Sequence, residues 1–189
     1  NAERVLDILA TQQDFRADAN MNTQFNEIVL SDEKGKPFPK GKIPVAKKEQ
    51  KIIWDVIKEL TYREINQIEK KDFRFVTKQF QNIDVEKLKA FAKAIWVRMY
   101  DEAYNSPSYR VMMPTGEVLG YAMNQNGTKS RRAWNSFSEI AKAIMSAETP
   151  DLTLISEVLG KAHKVRNFYN NIIAPNSNLG EVTIDTHAV

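Results

Sequence analysis

The feature that most constrains the fold is a long apolar repeat with helical spacing in the middle of the sequence. An apolar residue recurs every three or four positions across this stretch, at Val85, Leu88, Phe91, Ala92, Ile95, Trp96, Met99 and Ala103. Asp84 precedes the repeat, and aspartate is among the preferred N-cap residues of helices. Such a broad apolar stripe packs against other elements of a core. The pattern therefore predicts a buried central helix in a mainly α-helical domain.

Shorter stretches with the same apolar period surround this helix. They cover residues 1–12, 46–60 and 62–71 and the segment that follows Ser136. Thr61 with Glu64 has the spacing of a capping box, and Ser136 with Glu139 has the same spacing. Each pair indicates the start of a helix, so the sequence predicts several helices around the central one.

Two other segments do not have the helical period. Residues 14–26 are predicted to be a connector, because their apolar residues follow no strong period. A short strand or packed loop is predicted at its end, at Phe25, Ile28 and Leu30. Residues 109–123 are predicted to be a β-hairpin, since Pro114 and Gly116 suit a turn between two apolar segments.

Two lysine- and arginine-containing segments are predicted to be loops. The first spans residues 32–51 and contains Pro37, Pro39, Gly41 and Pro44, which disfavour helices and central strands. The second spans residues 124–132 and contains Asn126 and Gly127. Each segment is either a solvated loop or an arm that contacts DNA or a protein partner.

Composition excludes some classes of site. The 189 residues are 42% hydrophobic and 27% charged, enough for one core. Cysteine is absent and there are two histidines, so no disulfide, metal site or cofactor is predicted. No apolar run of about 18 residues is present, so no membrane partner is expected. The net charge of +3 permits contact with nucleic acid without requiring it.

The C-terminal segment from Pro150 has the pattern of a helical hairpin. Two apolar stripes with helical spacing flank Gly160, and they contain Leu152, Ile155, Val158, Leu159, Val165, Phe168, Ile172 and Ile173. Pro150 is predicted at the first helical position. A glycine turn leaves backbone N–H groups unpaired at the start of the second helix, where a phosphate fits. The hairpin is either such a DNA contact or an ordinary helical hairpin with a solvated basic edge.

The motif Leu159-Gly160-x-x-x-Lys164, followed by VTIDTHAV at residues 182–189, resembles the helix-hairpin-helix DNA glycosylases of the endonuclease III type. The resemblance implies a hairpin that holds duplex DNA through a phosphate, a Lys164 amine that attacks the sugar C1′, and an Asp185 carboxylate that assists. The DNA-binding residues that it implies are Gly160, Lys161, His163 and Arg166. In place of the second hairpin glycine of that family, this chain has Ala162.

The segments KVRNFYNNI and VTIDTHAV are also similar to an uncharacterised family of phage and plasmid proteins. This resemblance implies a phage or mobile-element origin, a location in the bacterial host cytoplasm or in the virion, and a chain that is a piece of a longer polypeptide. Three functions follow as hypotheses. They are a base-excision DNA glycosylase or lyase, a DNA-binding module that has lost the chemistry, and a virion or ejected phage protein with an inactive glycosylase-like fold that contacts other phage proteins.

The predicted domain organisation has three parts. Residues 1–30 form the N-terminal helix of the core, residues 31–133 form an insertion with helices and a β-hairpin, and residues 134–189 form the helix-hairpin-helix unit with the Asp-Thr-His segment.

Overall fold

A computed structural model describes residues 2–32, 34–73, 83–105, 108, 110–130, 136–160, 163–174 and 176. The described helices are α1 (Ala2–Thr11), α2 (Ala19–Ile28), α3 (Val45–Ile57), α4 (Val85–Tyr104), α5 (Phe137–Glu148), α6 (Leu152–Leu159) and α7 (His163–Ile173). Two 3-10 turns, Glu64–Gln67 and Lys70–Phe73, lie between α3 and α4, and two short strands, β1 (Arg110–Met112) and β2 (Val118–Tyr121), lie between α4 and α5. The predicted mainly α-helical class with a helical hairpin and a small β-hairpin is confirmed.

The chain divides into two compact units. The N-terminal unit contains residues 1–141, the C-terminal unit contains residues 142–189, and the boundary falls inside α5. The three-part domain organisation expected from the sequence stays a prediction.

Helix α4 is the centre of the N-terminal unit. Helices α1, α2 and α3 all contact it, and the Trp96 side chain in its middle is fully buried. The Trp96 ring stacks on Tyr100 with a centroid distance of 5.5 Å, and the Tyr62 ring meets it edge-on at 5.7 Å. Asp84 caps the helix, since its carboxylate accepts a hydrogen bond of 2.9 Å from the Glu86 amide. The predicted core helix and its cap are therefore confirmed.

Helix α2 corrects the sequence prediction of a connector that ends in a short strand or packed loop. Asp18 starts the helix by accepting a hydrogen bond from the Met21 amide at 3.0 Å. Met21 and Phe25 are buried one helical turn apart, and the Phe25 ring stacks on Trp54 at 5.0 Å. Polar residues separate these apolar ones, so the apolar period is weak in the sequence. Packing against α3 stabilises the helix nevertheless.

The segment after α3 contains less helix than predicted. The capping box is present, because Thr61 Oγ1 accepts from the Glu64 amide at 3.2 Å and a Glu64 carboxylate oxygen accepts from the Thr61 amide at 2.8 Å. The helix expected at residues 62–71 is replaced by the two 3-10 turns. The Ile68 amide donates to Ile65, three residues back, so the local pattern is the tighter 3-10 one.

The C-terminal unit contains the helical hairpin of α6 and α7, which contact each other. Helix α6 begins at Leu152 with Asp151 as its N-cap, whose carboxylate accepts from the Thr153 amide at 2.8 Å. Pro150 therefore precedes the cap, and its prediction as the first helical residue is wrong. The aspartate side chain satisfies free backbone donors that proline at the first position would not.

Candidate functional site

The turn between α6 and α7 is built on Gly160. Its backbone has φ +62° and ψ −145°, a conformation that side chains with a Cβ rarely adopt. Its amide donates to the carbonyl oxygens of Ser156 at 3.2 Å and Glu157 at 3.0 Å. These bonds end α6, and α7 starts at His163. The helical turn at Gly160 predicted from the sequence is present.

The basic side chains of the first turn of α7 lie at the surface. Lys164 and Arg166 are both exposed. Amides in the first turn of a helix lack intrahelical acceptors, and the positive end of the helix dipole attracts anions. The first turn of α7 thus combines two cationic side chains with backbone donors, which is the chemistry of a phosphate contact.

The apolar stripes of the hairpin are less buried than the sequence pattern predicted. Ile155 is buried, whereas Leu152, Leu154 and Val165 are exposed. Helix α6 is 8 residues long and α7 is 11 residues long. Two short helices that contact each other cover only a narrow stripe of side chains, so residues beside that stripe remain at the surface. Leu152 and Val165, which belong to the predicted apolar stripes, therefore lie at the surface.

The structure brings only part of the predicted site together. Gly160, Lys164 and Arg166 belong to one hairpin. Lys161 and Asp185 lie outside the described residues, and of His163 only the backbone position at the start of α7 is described. The pairing of Lys164 with Asp185 therefore stays a prediction.

The exposure of Lys164 bears on what it can do. A lysine that attacks a sugar carbon needs a neutral amine, and burial or a neighbouring cation supplies that state. An exposed ammonium instead suits contact with a phosphate in water. The exposed position of Lys164 is therefore accessible to a phosphate.

The resolved pKa shifts belong to the N-terminal unit. Desolvation raises the pKa of the buried Glu49 carboxyl. A hydrogen bond from the Thr61 amide, followed by smaller effects that include the Arg16 charge, holds the pKa of Glu64 below its usual value. The hydrogen bond that Tyr104 donates to the Asp18 carboxylate raises the pKa of Tyr104. Each of these pKa shifts is explained by a helix cap or by burial in the core.

Two clefts are found in the described part of the N-terminal unit. One, of about 130 Å³, lies between α1 and the end of α4 and is lined by Asp7, Ile8, Thr11, Gln12, Tyr100, Asn105 and Arg110. The other, of about 520 Å³, is more open and is lined by Val56, Leu60, Glu64, Gln67, Ile68 and Asp72. The residues that line these two clefts all belong to the N-terminal unit.

Two kinds of site are absent from the part of the chain that the structure describes. No group of three or more histidine, aspartate or glutamate side chains there is placed to hold a metal ion. Among the helices described, none has both the length and the apolar character that a membrane crossing needs.

The sequence prediction missed an exposed apolar surface on the β-hairpin. Leu119, Tyr121 and Met123 are all exposed, and the Lys129 ammonium lies over the Tyr121 ring. The signal in the sequence is an apolar residue at every second position beside a basic segment, a pattern typical of a strand with one apolar face.

Comparison with known protein families, with curated proteins and with solved structures gives no match for this chain.

Proposed function

We propose that this chain is a DNA-binding protein that holds the phosphate backbone through its C-terminal helical hairpin. The observation that supports this most directly is the turn at Gly160, followed by the exposed Lys164 and Arg166 in the first turn of α7. Contacts of this kind position a protein on DNA without reading its sequence. The preferred ligand is therefore duplex DNA of any sequence.

Base excision is the more specific form of the proposal, and it depends on the motif resemblance to the endonuclease III type. In that form the hairpin holds the strand while a modified base is rotated out of the duplex. Lys164 then attacks C1′ and the N-glycosidic bond breaks, with Asp185 stabilising positive charge on the sugar. The exposure of Lys164 supports the binding function more strongly than this chemistry.

The salt dependence of duplex binding tests the hairpin contact. Replacing Lys164 and Arg166 together by Gln removes two cationic contacts, and each contact contributes about 0.9 to the slope of log K against log salt. We expect the slope, measured by fluorescence anisotropy between about 50 and 200 mM salt, to become shallower by about 1.8.

A control variant with the same loss of charge replaces Lys48 and Lys87, which are exposed on α3 and α4. We expect this control to keep the wild-type slope. Equal slopes for the two double variants would contradict a specific contact at the hairpin.

Borohydride trapping on a duplex with an abasic site tests the chemistry separately. If Lys164 is the nucleophile, the wild-type chain forms a reduced covalent complex and Lys164→Ala does not. Trapping that persists in Lys164→Ala would exclude Lys164. A wild-type chain that binds the duplex but traps none would restrict the function to binding.

A structural role in a phage particle is the second candidate function. Leu152, Leu154 and Val165 of the helical hairpin are exposed, and they favour this role because a protein partner would remove their apolar surface from water. A chain with this role would assemble stoichiometrically with other virion proteins and would have no affinity for DNA. Sedimentation with and without duplex distinguishes the two candidates.

A further inference from the structure

The two strands of the N-terminal unit form a small antiparallel ribbon with a defined register. Arg110 lies opposite Tyr121 and Val111 lies opposite Gly120, with an irregularity before Met112. The chain continues beyond β2 to Met123, which pairs with Lys129. The Ser130 amide donates to the Ala122 carbonyl at 2.7 Å and so extends the ribbon.

One face of this ribbon is apolar and basic. Tyr121 and Met123 alternate along the strand and share a face, and Val118 joins them, because the register pairs Val118 with Met112, two residues from Arg110 on β1, and leaves Leu119 as the extra residue of the irregularity. The exposed fractions of Val118, Tyr121 and Met123 are 48%, 39% and 58%. Residues directly opposite in an antiparallel pair also share a face, which adds Arg110 beside Tyr121 and Lys129 beside Met123. We call these five residues the ribbon face.

The Lys129 side chain is held close to the aromatic ring of the ribbon face. Its ammonium nitrogen lies 4.2 Å from the centre of the Tyr121 ring, within the range of a cation–π contact. Both residues are exposed. The ribbon face therefore presents a positive charge directly beside an aromatic ring and two aliphatic side chains.

The charge of the ribbon indicates what binds it. Between Ser108 and Ser130 the sequence has one carboxylate, Glu117, which lies in the turn between the strands. The cations are Arg110 and Lys129. Arg110 also borders the small cleft near Asp7. Two more arginines follow in the sequence at positions 131 and 132. This excess of positive charge is complementary to a polyanion.

The shape of the ribbon also suits nucleic acid. β-Ribbons contact B-form DNA in the major or the minor groove, and in the minor groove apolar side chains wedge between base steps and unstack them. Aromatic and aliphatic side chains stack on or wedge between bases, while cations contact the phosphates. A two-stranded ribbon alone is only marginally stable in water, so a partner that covers the apolar side chains would also stabilise it.

We propose that the ribbon face is a second DNA contact of this chain. Lys129, with Arg110, contacts phosphates, and Val118, Tyr121 and Met123 contact the bases. The inference rests on the proposed DNA-binding function but uses none of the hairpin residues. Its ligand is therefore duplex DNA, and a protein partner for this face is the competing result of the test.

The test uses the full chain and a duplex that carries 2-aminopurine, whose fluorescence rises when the base is unstacked. We expect Tyr121→Ser to abolish that rise and to weaken binding about 10-fold, the effect of losing one stacking contact. Lys129→Gln, which keeps the apolar side chains, should make the salt slope shallower by about 0.9.

The matched control changes the opposite face of the same ribbon. Val111 is exposed to a similar extent as Tyr121, 43% against 39%, and alternation along β1 places Val111 on the face opposite to Arg110 and to its partner Tyr121. Replacing Val111 by Ser should leave affinity and fluorescence as in the wild type. Unchanged affinity, slope and fluorescence in the ribbon-face variants would overturn the inference.

The outcomes also separate this inference from the hairpin contact. Loss of binding in the Lys164 and Arg166 variant, with normal binding in the ribbon-face variants, would leave the proposed function intact and overturn the inference. The reverse result would support the ribbon face and overturn the hairpin contact. A wild-type chain that binds no duplex would overturn both.

Discussion

Replacing Gly160 by Ala should destabilise the helical hairpin without any steric clash. A Cβ built at Gly160 would lie 3.8 Å from the Glu157 carbonyl oxygen, an ordinary van der Waals distance. The cost therefore comes from the backbone, since φ +62° with ψ −145° is close to a region used almost only by glycine. Backbone strain of this kind costs about 1–3 kcal/mol. Alanine also restricts the unfolded chain, which offsets about 0.4–1 kcal/mol, so the net loss is about 1–2 kcal/mol.

Hydrogen exchange of the amides in α6 and α7 measures this loss where it occurs. A chain with two compact units need not unfold in one step, so a single melting curve would not isolate the hairpin. A loss of about 1–2 kcal/mol corresponds to exchange that is about 5–30 times faster. The Gly160 amide, which donates to Ser156 and Glu157, is the most direct reporter in the wild-type chain.

Semisynthetic insertion of D-Ala at position 160 supplies the matched control. A D-residue adds the same Cβ but favours positive φ, so the D-Ala chain should exchange like the wild type or more slowly. Wild-type exchange rates in Gly160→Ala would refute the reasoning. Hydrogen exchange accelerated equally by L-Ala and D-Ala would also refute it. The loss of stability would then come from steric contact of the added methyl group and not from the backbone conformation.

Two further predictions concern the N-terminal unit. Glu49 is buried, one of its carboxylate oxygens has no hydrogen-bond partner, and desolvation raises its pKa. The folded state therefore binds this proton more tightly than the unfolded state, and stability falls as pH rises through the folded pKa. Glu49→Gln should be more stable than the wild type by about 1 kcal/mol near neutral pH, and this difference should vanish in acid. Urea unfolding that shows the same stability difference at neutral and at acid pH would contradict this. Asn22→Ala removes the acceptor that lies 2.6 Å from the Trp54 indole nitrogen and should lower the free energy of unfolding by about 1 kcal/mol in the same assay. The control Asn26→Ala changes an exposed residue of the same helix and should lower it less. Equal losses would show that the indole hydrogen bond contributes little.

Prediction from the sequence worked best where an element carries its own signals. Helix α4 has a continuous apolar period and an aspartate at its start, and both predict its observed bounds closely. Helix α2 was missed because its burial depends on a stacked contact between Phe25 and Trp54, which are 29 positions apart in the sequence. Such a contact adds no period to the local pattern.

In the candidate site, too, local features were predicted from the sequence and features that depend on packing were not. Gly160 predicted the turn, since few other residues adopt its backbone conformation. The surface position of Lys164 and Arg166 is a property of how two short helices pack, and a helical period alone does not supply it. Asp185 lies outside the described residues, so its role in the site stays a prediction.

The sequence by itself therefore determined the helical class, the central helix, the capping box at Thr61 and the glycine turn, because each depends on residues within a few positions of one another. Tertiary structure decided that residues 19–28 are helical, that Leu152 and Val165 are exposed, and that Lys129 lies over Tyr121. These features depend on which surfaces meet after the chain has folded. Burial, exposure and contacts between distant residues are settled by that packing and not by local spacing.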